Sequence, residues 1–192
     1  MIKNIILHFN LINKHRWKVF MLCIKAGIPF RGLVHDLSKY SLTEFFESVK
    51  YYNGKKSPIV ICKKDKGYSD AWLHHKGRNK HHHEYWYDYA APEKTPIMPY
   101  KYTVEMICDN LAAGMTYMGE SWTNDYQVKY YLKDRETKKI NPIIDKILLC
   151  VFEEVSKSGI NKVINKNNLK KIYNKYVKKW YYDKKNKIIY KW

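Results

Sequence analysis

Arginine is nearly missing from this chain: 4 of its 192 residues, against 32 lysines. The planar guanidinium is the preferred partner for bidentate phosphate contacts. The formal net charge of +18 is therefore a weaker argument for nucleic-acid binding than its size suggests. A composition rich in Lys, Asn, Ile and Tyr also follows from AT-rich codon usage. Cysteine is sparse and scattered, at Cys23, Cys62, Cys108 and Cys150. Without a C-x-x-C pair these read as reduced thiols of a cytoplasmic protein, not as a disulfide framework. No stretch approaches the roughly 20 apolar residues that span a bilayer, so no membrane association is expected. Met1 to Phe9 is apolar but no small-residue cleavage site follows, and it reads as the start of a helix rather than a signal peptide. A sustained alternating pattern is also lacking, and only Lys187 to Trp192 reads as extended. Disorder is excluded by what is present: 45% hydrophobic residues and 16% aromatics, enough for one domain with a core.

The helical period dominates. Ile5, His8, Ile12, His15, Val19 and Leu22 recur at spacings of three and four, which predicts a helix from about Lys3 to Lys25, ended by Gly27 and Pro29. A short helix is expected over about Phe30 to Lys39. Ser41 and Glu44 have the spacing of a capping box and open a third, through about Tyr52. Asn53 to Gly67, with Gly, Pro and five lysines, reads as a loop. Further helices are expected over about Asp70 to Tyr89, Tyr102 to Met118, Tyr126 to Lys133, Pro142 to Gly159 and Asn168 to Tyr182. The last is lysine-rich, with an apolar face of Ile172, Tyr176 and Trp180. Its Lys170, Lys171, Lys175, Lys178 and Lys179 read as a solvated face, with nucleic-acid binding as the sharper alternative.

Polar residues interrupt the apolar stripes at a few places. Trp72, His75, Asn79, His82 and Trp86 share one face of the expected fourth helix. A His-Asn-His centre between tryptophans must find partners or carry a desolvation cost, and a metal is one such partner. His74 and His81 form a parallel pair, so the register stays open by one residue. On a straight helix His75 and His82 lie about 10 Å apart along the axis, which suits two ions, or one ion and a substrate. His15 lies on the apolar stripe of the first helix, as does His8, where a lone histidine is usually a core residue. His35 and Asp36 stand between Val34 and Leu37, with Lys39 on their face, placed to hold a phosphate. Asp109 sits among Met106, Ile107, Cys108, Leu111, Ala112 and Ala113, where a carboxylate needs a counter-charge.

The order His15, His35-Asp36, later histidines, Asp109 resembles the HD-domain superfamily, with its pattern H…HD…D and two extra histidines in two-metal members. GLVHDLSKYS is similar to that superfamily's HD-x-x-K form. The longer runs HRWKVF, GLVHDLSKYSLTEF, WLHHKGRNKHHHEYW and MPYKYTVEMICDN resemble a family of bacterial and phage proteins of unassigned activity. The resemblance implies an all-α, HD-like bundle, with residues 1–125 as the metal-binding core and 126–192 as a helical extension packed on it. It implies His15, His35, Asp36 and Asp109 as ligands, His75 and His82 completing a second position, and Asp36 bridging two divalent ions (iron, manganese, zinc, nickel or cobalt). Lys39 and Arg78 would neutralise phosphate oxygens. The implied activity is hydrolysis of a nucleotide or other phosphate ester by a metal-activated water. The competing expectations are an HD-type di-iron oxygenase and a nucleic-acid- or partner-binding module with a structural metal.

Overall fold

A computed structural model describes residues 2–185. These residues form ten α-helices joined by turns, with no strand among them: α1 (Ile2–Lys25), α2 (Pro29–Val34), α3 (Leu42–Lys50), α4 (Pro58–Lys66), α5 (Asp70–Arg78), α6 (Tyr100–Met118), α7 (Tyr126–Lys133), α8 (Pro142–Ser158), α9 (Ile160–Val163) and α10 (Lys166–Lys185). The all-helical expectation holds. None of these helices is long and apolar enough to cross a membrane. The expected extended segment from Lys187 lies outside the described residues.

The central pair is α1 against α6. α1 buries His8, Ile12, His15, Val19, Leu22 and Cys23, the stripe its period dictates. α6 is buried over most of its circumference, through Val104, Met106, Ile107, Cys108, Leu111 and Ala112, and so occupies the middle. α8 adds Ile144, Ile147, Leu148, Val151, Phe152 and Val155 to the same core. α10 packs on α8 and α6, burying Leu169 and Ile172 while its five named lysines stay exposed. One hydrophobic core thus runs across residue 125 without a break.

Three expected elements differ, and each difference shapes the site. First, the stretch 30–39 is not one helix. α2 stops at Val34, Asp36 takes a left-handed conformation (φ 54°), and a 3-10 turn follows over Leu37–Tyr40. Arg16 holds the break, its guanidinium donating to the carbonyls of Leu33 and His35 at 2.8 Å each. Gly32 lets α2 come close to α1: a Cβ there would lie 2.6 Å from Cys23 Cβ and 2.9 Å from Phe20 Cα. Second, the expected loop 53–67 contains α4. Pro58 occupies its first turn and Gly67 (φ 82°) its C-terminus, so the proline and glycine bracket a helix rather than prevent one. Third, the expected helix 70–89 ends at Arg78. Asn79 has left helical space (ψ 102°). Its amide donates to the His75 carbonyl and to Ser38 Oγ, both at 2.8 Å. The chain then turns into a 3-10 segment, His83–Trp86.

The start of α5 is secured from α3. Ser69 Oγ accepts from Trp72 N at 3.1 Å. The Glu47 carboxylate accepts from the amides of Ala71 (2.9 Å) and Asp70 (3.2 Å) and from the Ser69 hydroxyl and Lys66. Burial opposes ionisation of Glu47, but the Ser69 hydroxyl, these amides and Lys66 hold its carboxyl down at about 2. A depressed carboxyl contributes stability above its ordinary value near 4.5, which is lost as pH falls through the window toward 2. Glu47→Gln is therefore expected to cost about 1 kcal/mol at pH 7, on the scale of a helix cap. Thermal melts of the two proteins should converge between about pH 5 and pH 2; a penalty that does not change with pH would disprove the charge-assisted cap.

Candidate metal centre

Four separate pieces of chain meet at one carboxylate. α1 supplies His15, the break after α2 supplies His35 and Asp36, α6 supplies Asp109, and α5 with the turn that follows supplies His75, His81 and His82. Asp36 Oδ2 lies 3.3 Å from His35 Nε2 and 3.9 Å from His15 Nε2. Its Oδ1 lies 3.3 Å from His75 Nε2 and 3.4 Å from His81 Nε2. Asp109 Oδ1 is 3.0 Å from His15 Nε2 and 3.5 Å from His35 Nε2. Ligand atoms about 2.0–2.1 Å from one ion are themselves separated by about 3.0–3.5 Å. Two groups that share Asp36 bring their ligand atoms within 4.8 Å of one another, close to that spacing: His15, His35, Asp36 and Asp109, and Asp36, His75, His81 and His82; a third group within the same limit is His35, His81 and Glu105.

The hydrogen-bond pattern supports a metal. His15 Nε2, His35 Nε2, Asp36 Oδ1, His81 Nε2 and His82 Nε2 are all buried and none makes a well-directed hydrogen bond, although His15 Nε2 stands 3.0 Å from Asp109 Oδ1. Buried polar atoms are ordinarily paired, and these five converge on the same two groups. The opposite nitrogens of two of the rings are taken. Glu105 Oε1 is 3.1 Å from His35 Nδ1 while its Oε2 accepts from Arg31 Nε at 2.7 Å. Glu44 Oε2 is 2.7 Å from His75 Nδ1. A carboxylate on one imidazole nitrogen fixes the ring and leaves the other for a metal.

The open histidine register resolves unevenly. His75 and His82 both belong to the second group, and His81 joins them. His74 turns to Glu44 instead, with Nδ1 2.6 Å from Oε1. The expected 10 Å between His75 and His82 is corrected: their ring centroids are 4.7 Å apart, because the helix ends between them. Trp72 covers this side, its ring 6.0 Å from His75 and 5.1 Å from His82. Trp86 does not seal the other end. It packs 6.0 Å from Tyr102 and donates to the Lys80 carbonyl. Arg78, expected at the substrate phosphate, is exposed on the last turn of α5 and lines no part of the cavity over the centre. Glu44 and Glu105 were not singled out by sequence. Glu44 passed for the acid of a capping box, and Ser41 Oγ does accept its amide. Glu105 is 0% exposed and lies one turn before Asp109 on α6. A second acid on that apolar face was the available signal.

Burial opposes the charges of Asp36 and Asp109, but their neighbours prevail. His35, Lys39 and His75 hold Asp36 well below the usual carboxylate range, and His15 and His35 do the same for Asp109. Burial followed by His81 pushes His82 well down, and burial followed by Lys39 lowers His15. These directions favour neutral imidazoles at His15 and His82 and ionised carboxylates at Asp36 and Asp109, the protonation states a metal requires. His35 differs. Burial lowers it, but Asp36, Asp109 and Glu105 raise it well above the ordinary value. A metal must displace that proton, so affinity should rise with pH. Above the centre is a cavity of about 200 Å³. Lys39 is the one lysine or arginine in its lining among the described residues, and its Nζ is 2.6 Å from Asp36 Oδ2.

Residues 4–157 match a family of unknown function, DUF5662. The chain belongs to the DUF5662 family. The matched span contains every candidate ligand and stops before α10. No curated protein and no solved structure matches the chain.

For this DUF5662 member, Asp36→Ala should abolish binding at both positions, because it alone belongs to both groups. Asp109→Ala should weaken chiefly the first. Glu105→Gln should lower affinity by roughly 10- to 100-fold, the usual effect of losing a carboxylate behind a histidine ligand. Metal content by elemental analysis, with helical content by circular dichroism as control, tests this. Full metal content in both aspartate variants would remove the site.

Proposed function

We propose that this protein is a metal-dependent phosphohydrolase acting on a small phosphate ester. The observation that carries the reading is Asp36: one buried carboxylate shared by two histidine-rich ligand groups, with Lys39 beside it at the floor of a cavity. The resemblance of His15, His35-Asp36 and Asp109 to the HD-domain pattern supports the same reading. His15, His35, Asp36 and Asp109 would hold one divalent ion, and Asp36, His75, His81 and His82 the other. When bound, such ions act as Lewis acids and acidify water, supplying a hydroxide for attack on phosphorus at neutral pH.

The protein's own groups have separate tasks. Glu105 and Glu44 keep the imidazoles of His35 and His75 turned toward the centre. Lys39 can swing from Asp36 to a phosphate oxygen and balance its charge. Trp72 and the apolar residues of the cavity limit water around the reacting group. About 200 Å³ is below the usual range of about 300–1,000 Å³ for drug-sized ligands, and a single cationic side chain suits a single phosphate. This favours a small monoester over a polynucleotide chain.

Lys39→Met in the metal-loaded protein should keep metal content and Tm, and lower kcat/KM by about 10- to 1000-fold, the scale of losing one charge-stabilising donor. Release of phosphate from a panel of monoesters measures it. The histidine-carboxylate donor set also accommodates iron, so oxygen uptake is monitored in the same panel. Consumption of O₂ without phosphate release would replace hydrolysis with oxidation, and unchanged turnover in the variant would remove Lys39 from the reaction.

A further inference from the structure

α1 carries a second buried histidine that the metal centre does not use. His8 lies two turns before His15 on the buried face of α1. It is 6% exposed and lines the same cavity. Its Nδ1 is buried without a hydrogen-bond partner. The ring packs against Phe45 and Tyr52, centroids 5.6 Å from each. Leucine or phenylalanine would fill such a place without the penalty of desolvating an unpaired imidazole. A polar group kept in an apolar wall against that penalty marks a site whose partner comes from outside the chain.

The surroundings define that partner. Burial, then Lys39, lowers His8 to about 4, so at neutral pH its ring is uncharged, with one N–H and one lone pair. Between the two histidines the α1 wall is apolar, through Leu11 and Ile12, and the hydroxyl-bearing Ser48 and Ser57 line the same cavity. Seven residues of helix separate His8 from His15 by about 10 Å along the axis. With the phosphate level with His15, subtracting a hydrogen bond of about 3 Å at the His8 end leaves roughly 7 Å between phosphorus and the group that meets His8.

We infer that His8 recognises the end of the substrate remote from phosphorus, and that the substrate is a small phosphate monoester bearing an uncharged hydroxyl across a short apolar spacer. The inference rests on the phosphate-ester reading for the metal end of the cavity only. In it, His8 is a specificity residue: it touches neither the ligand groups nor the reacting bond.

The test uses the full, metal-loaded chain and a matched pair of non-hydrolysable probes, 5-hydroxypentylphosphonate and hexylphosphonate, with the corresponding phosphate monoesters in parallel. Calorimetric titration of the wild type should show the hydroxylated phosphonate binding at least about 10-fold tighter. His8→Leu should erase that difference while leaving metal content and hexylphosphonate affinity unchanged, with a Tm equal to or above wild type. His8→Gln, which keeps hydrogen-bonding atoms, should retain part of the preference and covers the case in which the leucine variant folds poorly. Equal affinity of the two phosphonates for wild type, a preference that survives both substitutions, or no binding of either probe overturns the inference. Preferential binding that depends on His8, with neither ester hydrolysed, upholds His8 and rejects hydrolysis. Both esters hydrolysed at equal kcat/KM, with equal phosphonate affinities, does the reverse.

Discussion

The organisation of the N-terminal half depends on one buried negative charge. Asp36 is 1% exposed, and a carboxylate at that depth is tolerable only if compensating groups surround it. They come from α1, from the adjacent His35, from α5 and the turn after it, and from the 3-10 turn that holds Lys39. The backbone gives way to the same requirement. Asp36 is the one non-glycine residue with positive φ among the described residues, a conformation that costs a non-glycine residue about 1–2 kcal/mol. In return the chain reverses between α2 and the 3-10 turn, and the two oxygens face two different sets of imidazoles.

Further polar residues secure this arrangement from behind. Arg16 ties the last carbonyls of α2 to α1. Glu105 sits between Arg31 and His35, and Glu44 joins α3 to His75 and His74. These groups consume the hydrogen-bonding capacity on the outer side of the histidines and leave the inner nitrogens unpaired. The centre and the cavity are thus two aspects of one packing solution. α1 and α6 provide a rigid floor. The shorter helices α3, α4 and α5 form walls with fewer buried apolar residues than the α1–α6–α8 core.

The candidate site was legible wherever a residue type was unusual for its surroundings. His15 on an apolar stripe, Asp109 on an apolar helix, and the His35-Asp36 pair carried their own signal, because burial of such groups is costly enough to be rare without a partner. The residues behind them were not legible on the same grounds. Glu44 obeyed a local rule, three residues after Ser41, and that rule explained it fully until the structure placed its carboxylate on two histidines. Glu105 was obscured by the stronger claim of Asp109. Arg78 carried the right charge for a phosphate, but it sits where α5 ends and remains in solvent.

The sequence by itself determined the all-helical class, most of the helices, the apolar stripe of α1 and most of the side chains able to bind metal. These follow from periodicity and from the cost of burying polar atoms, both of which act within a few turns of chain. Only the tertiary structure decided where the helices stop and which histidines meet. α2 ends at Val34 and α5 at Arg78 because Arg16, Ser38 and Asn79, distant or neutral in local propensity, capture backbone and side-chain groups at those points. That early termination of α5 brings His75 and His82 from two turns apart to adjoining rings. It also adds His81 to the same carboxylate. Long-range hydrogen bonds made the choice, and no local pattern encodes them.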